Sequence, residues 1–140
     1  MPSQQRDRWI GRINALIESV RGWVQNEDWV TKRHPKKMRD AGGDVYEAPS
    51  LFLQRGATRL LLDPIAYDVP GSEGVVDLYL MPTYDDTATL SWVDGGWQIR
   101  YALHDAPVVA GVKQVEVMEL SKRSINRVLD EIAAHAVPSV

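Results

Sequence analysis

The sequence predicts an α+β fold: a mainly antiparallel sheet of about five strands, flanked by an N-terminal and a C-terminal helix packed on one of its faces. Three observations carry this. Apolar residues recur every three or four positions near both ends of the chain. The middle alternates in twos. Short turns rich in Gly and Pro separate the alternating runs. Consecutive strands joined by short turns pair antiparallel, and helices segregated to the two ends can both bury an apolar stripe on one sheet face.

The first helix is read from Trp9, Ile10, Ile13, Leu16, Ile17, Val20, Trp23 and Val24, with Arg8, Arg12, Asn14, Glu18 and Arg21 on the opposite face. Ser3 is placed to cap its start and Asn26 to stop it. Residues 26–44 read as loop, because Pro35 and the pair Gly42-Gly43 punctuate a polar run. Strands follow at 45–54 and 58–69 around the turn Arg55-Gly56-Ala57. Pro49 and Pro64 interrupt these runs, and each implies an edge or a bulge, since proline cannot donate to a ladder. Further strands are read at 74–81, 87–93 and 96–103. The last two flank Asp94-Gly95-Gly96, the clearest hairpin signal in the chain, which puts Trp92 and Trp97 on one face. Within 104–118 only a short strand around Val112–Leu120 is suggested. The second helix begins after Ser121, with Ile125, Val128, Leu129 and Ile132 on one face and Ala133 and Ala136 beside them.

A chain of 140 residues with 44% apolar and 25% charged residues fits one globular domain, 1–140, rather than a disordered or membrane-spanning chain. Cysteine is absent, so disulfides and thiolate chemistry are excluded. With no apolar leader at the N-terminus either, a cytoplasmic protein without membrane association is expected. Charge is uneven: residues 1–40 carry a net +4 and residues 41–110 a net −7. A basic front and an acidic middle can satisfy each other within one fold, and the acidic middle disfavours a broad nucleic-acid-binding surface.

Alternation sets out a second sheet face that is neither dry nor fully polar: Leu61, Ile65, Tyr67, Tyr79 and Met81 around Asp63, Asp77 and Arg100. A partly apolar face of this kind implies cover by residues 104–118, a dimer interface or a groove, with Tyr67, Tyr79, Met81 and Arg100 as contact residues. The stretch Thr31–Asp40 holds Lys32, Arg33, Lys36, Lys37 and Arg39, beside Trp29 and His34. It is read as a solvated loop pairing with the acids, or else as a phosphate or nucleic-acid contact over 32–39.

Asp63 and Asp77, with Glu47, form an arrangement that resembles the Mg²⁺-holding carboxylates of metal-dependent nucleases. It departs from the nuclease pattern of an acid and a lysine two residues apart, because Asp77-Leu78-Tyr79 contains no lysine. Asp63 also precedes Pro64 instead of following a proline. His34, His104 and His135 are scattered without the spacing of metal ligands, and His104-Asp105 lies at a strand end. No cofactor, no metal and no catalytic residue is expected. The reading is a non-catalytic binding or interaction domain, acting through its second sheet face or as a dimer with itself or a protein partner. A nuclease-like hydrolase and a nucleic-acid binder are the alternatives.

Overall fold

The structure, a computed structural model, describes residues 2–82 and 85–136, and the side chains of these except Pro2, Ser3 and Asp85. The Ser3 cap therefore falls outside the described side chains. The elements run α1 (Pro2–Val24), β1 (Val30–Arg39), β2 (Val45–Arg55), β3 (Thr58–Ala66), β4 (Val75–Leu80), β5 (Asp85–Val93), β6 (Gly96–Tyr101), β7 (Val108–Val109), β8 (Val112–Lys113), β9 (Glu116–Glu119) and α2 (Lys122–His135). The α+β architecture holds. Seven strands form the sheet, in the order β1-β2-β3-β4-β5-β6-β9, and β7-β8 is a separate hairpin. Every pairing in the seven-stranded sheet is antiparallel.

Two strands beyond the main five form the edges: β9 falls within the short strand suggested at 112–120, and β1 lies where a loop is expected. Residues 30–39, expected as loop, are β1, paired with β2 from Val30↔Gln54 to Arg39↔Val45. Only Met38 in β1 is buried. A strand with one neighbour and little burial carries no hydrophobic period, so its lysines, arginines and Pro35 read as punctuation. The same residues blunt the edge against pairing with another chain.

The proline rule accounts for the other two interruptions. β3 pairs with β2 only over Leu51–Arg55, so Pro49 lies beyond the part of β2 that is flanked on both sides. The buried set of β2 also changes phase there, from Tyr46 and Ala48 to Leu51 and Leu53. At Pro64 the β3–β4 register shifts, with Pro64↔Val76 followed by Ala66↔Val75, so Ile65 is the extra residue of a bulge.

Both helices and one sheet face share a core. From α1 it takes Trp9, Ile13, Leu16, Ile17, Val20 and Val24; from α2, Ile125, Val128, Leu129 and Ile132. Opposite them are Leu51, Leu53, Leu60, Leu62, Leu78, Leu90 and Ile99. Asn126 donates to the Trp23 carbonyl at 3.1 Å, which ties the two helices together. The N-terminus of α2 is capped reciprocally: Ser121 Oγ accepts from the Ser124 amide at 3.2 Å, and Ser124 Oγ accepts from the Ser121 amide at 2.9 Å. Ser124 Oγ also donates to the Glu119 carbonyl at 2.8 Å, which fixes α2 to β9. Among the described residues no helix is long and apolar enough to cross a membrane.

Candidate functional site

A cleft of about 700 Å³ lies where α1 passes the β5–β6 hairpin and β9. Its position follows from the hairpin turn. Asp94 and Gly95 have φ of 52° and 79°, a turn with two left-handed residues that matches the strand twist and pairs Trp92 with Trp97. The two indoles meet edge-to-face at 5.4 Å. Trp23, from the last turn of α1, also lines the cleft. Neither Trp92 nor Trp97 is fully buried, so both give ring surface to the cleft while sharing the core side of the sheet. The Arg12 guanidinium lies 4.4 Å from the Trp92 ring centre, a cation–π contact, and 4.0 Å from Glu73. The Trp92 indole N–H is buried and donates to nothing among the described residues.

The residues expected on the second sheet face are only partly together. Asp63 and Asp77 are direct cross-strand partners, and the row continues through Thr89, Arg100 and Val117. Tyr79 lies on the neighbouring row, opposite Leu61. Met81 lies just past the end of β4, half-buried. Tyr67 does not belong to this face. The bulge at Ile65 changes the phase of the chain, and Tyr67 packs at the helix side, 6.4 Å from Trp9 and 6.2 Å from Tyr46. Nor do residues 104–118 serve as a cover: Val108, Val109, Val112, Val115 and Val117 are all at least half exposed.

Asp63 is engaged by both carboxylate oxygens. Lys36 Nζ donates to Oδ1 at 2.7 Å and also to the Pro64 carbonyl at 2.7 Å, while the Tyr79 hydroxyl donates to Oδ2 at 3.1 Å. The basic stretch is thus partly turned inward. Arg33 bridges to Glu18 and Asn14 of α1, and Arg39 donates to the Gly43 carbonyl. Lys32 and Lys37 make no ion pair among the described residues. Glu47, on β2 opposite Lys37, is exposed. Trp29 caps the core after α1, buried beneath the Arg55 guanidinium at 4.4 Å.

A group that sequence reasoning missed lies at the end of α2. His104, Glu131 and His135 bring one ligand atom each to within 4.8 Å of one another. The rings of His104 and His135 stack at 3.5 Å. Asp86 sits beside them, 3.8 Å from His104 Nε2, and accepts from the Tyr101 hydroxyl at 2.8 Å. Burial first, and then the Asp86 carboxylate, push the Tyr101 phenol well above its usual range, so it remains a donor. The four-residue spacing of Glu131 and His135 on one helix was the available signal. His104 gave none, because it enters from the far end of β6.

No family model, no curated protein and no solved structure matches this chain.

Proposed function

We propose that this chain is a non-catalytic binding domain whose ligand is a small planar aromatic molecule bearing a hydrogen-bond acceptor, held in the cleft between α1 and the β5–β6 hairpin. One observation carries the reading: Trp23, Trp92 and Trp97 surround a cleft of about 700 Å³ with Arg12 at its wall. That volume lies in the range of small-molecule sites, about 300–1,000 Å³. Ring surface and one guanidinium suit stacking and an acceptor oxygen. We place the protein in the cytoplasm, in keeping with a chain that has no cysteine. Calorimetric titration with 2-naphthoate tests the reading. Saturable binding is expected, weakened about tenfold by Trp97→Ala, since one stacking partner is worth about 1–3 kcal/mol. Circular dichroism confirms that the variant is folded. Unsaturable binding, or an affinity that Trp97→Ala and Arg12→Ala both leave unchanged, defeats it.

A separate observation supports self-association as a second reading. The β7–β8 hairpin and the chain after it expose five valines, and Val117 also lines the cleft. Exposed apolar patches of this kind mark contact surfaces. A concentration-dependent dimer in sedimentation velocity, abolished by Val109→Asp with Val112→Asp, is the expected outcome. A wild-type chain that stays monomeric throughout the series removes this reading.

A further inference from the structure

We infer that His104, Glu131 and His135, with Asp86 beside them, form a binding site for a divalent transition metal of the zinc class, independent of the aromatic cleft.

The placement begins with helix geometry. Glu131 and His135 are four residues apart on α2, so their side chains lie on the same face, one turn from each other. The third ligand comes from the other side of the core, three residues past the end of β6. The three ligand atoms converge within 4.8 Å. A tetrahedral zinc ion with bonds of about 2.0–2.1 Å needs its ligands roughly 3.3–3.5 Å apart. Closing that gap takes a shift of about 1–1.5 Å, by side chains that are partly exposed. The two imidazoles are 35% and 46% exposed. They leave their stack when they coordinate, because two rings on one ion must approach it from different directions.

The protonation pattern fits. His135 Nδ1 lies 3.0 Å from the Glu131 carbonyl oxygen. A carbonyl can only accept, so the tautomer that satisfies this contact has its hydrogen on Nδ1 and leaves Nε2 with the lone pair that a metal requires. Such a bond from the distal nitrogen is the usual way a ligating histidine is oriented. Glu131 Oε2 is buried and, although His135 Nδ1 lies 3.5 Å away, receives no hydrogen bond among the described residues, a state that a cation would relieve.

Asp86 supplies a fourth oxygen or orients His104. It is a non-glycine residue at φ 52°, where the β4–β5 register shifts between Leu78↔Ala88 and Leu80↔Asp85. Bulges re-aim side chains, and this one turns a carboxylate towards His104. Two imidazoles with carboxylates favour Zn²⁺, Co²⁺ or Ni²⁺ over Mg²⁺ and Ca²⁺, which take oxygen ligands.

The test uses tag-free full-length protein, dialysed against chelator and titrated calorimetrically with ZnCl₂. One equivalent is expected to bind saturably, with a rise in melting temperature that MgCl₂ does not reproduce. Cobalt should give the visible absorption of a tetrahedral ion. His135→Ala and the isosteric Glu131→Gln should each weaken binding at least about tenfold, and Asp86→Asn by about tenfold as an orienting residue. His34→Ala, which alters the histidine on β1, should change nothing. Melting curves of the metal-free variants separate lost ligation from lost folding. No saturable zinc binding, or wild-type affinity retained in Glu131→Gln and His135→Ala, or loss of binding in His34→Ala, overturns the assignment.

Discussion

Trp9→Ala is expected to lower unfolding stability by about 3–5 kcal/mol, the cost of removing a large aromatic side chain from a packed core. Trp9 is 1% exposed and contacts Tyr67 and Trp97, each with ring centres 6.4 Å away. Its third neighbour is a backbone. A Cβ added at Gly74 would fall 2.2 Å from the Trp9 ring, so the glycine leaves the space that the indole fills. Gly74→Ala should therefore cost about 1–3 kcal/mol by overpacking. In the Trp9→Ala background the same change should cost under about 1 kcal/mol, because the clashing ring is gone. Urea denaturation of the four proteins measures the cycle. Equal costs of Gly74→Ala in both backgrounds would show that something other than Trp9 excludes the Cβ.

That contact also marks where the sequence stops being readable. Trp9 as a core residue follows from its place in the α1 stripe, and the α2 stripe of Ile125, Val128, Leu129 and Ile132 is legible for the same reason. The Trp92–Trp97 pair follows from its hairpin turn. These are local periods, set by residues a few positions apart. Gly74 against Trp9 is set by two segments sixty-five residues apart, and nothing near either one announces it. The same limit hid both candidate sites. The cleft needs Trp23 brought against Trp92 and Trp97 by the packing of α1 on the sheet. The histidine cluster needs the end of β6 brought to the end of α2. Tyr67 failed for a subtler reason. Face assignments assume an unbroken count of two, and one extra residue at Ile65 inverts every position after it. The edge strand β1 was hidden by its own protection, since charge and proline at an edge look like a loop.

The protective charges also have a structural part, and Lys36→Met tests it. Lys36 lies in the basic run of β1, yet its ammonium reaches Asp63 Oδ1 and the Pro64 carbonyl, both at 2.7 Å. The Asp63 side chain is only 13% exposed, whereas that of Lys36 is 33% exposed. The pair is therefore asymmetric. A lysine left without its partner can extend into water, but a carboxylate left without its lysine stays largely buried with Tyr79 as its remaining donor. Leaving a buried charged group short of partners costs more than the intact pair contributes. Lys36→Met is accordingly expected to destabilise the fold by about 1–3 kcal/mol, and Asp63→Asn by less, about 0.5–1.5 kcal/mol. Adding Asp63→Asn to Lys36→Met should recover part of the loss, because the stranded charge is removed. Neutralising Lys37, whose ammonium pairs with nothing among the described residues, should change stability by less than about 0.5 kcal/mol. Thermal or urea unfolding of these four variants gives the comparison. If Lys36→Met and Lys37→Met behave alike, the contact with Asp63 is a surface pair of no consequence, and the basic run acts only as a guard on the sheet edge.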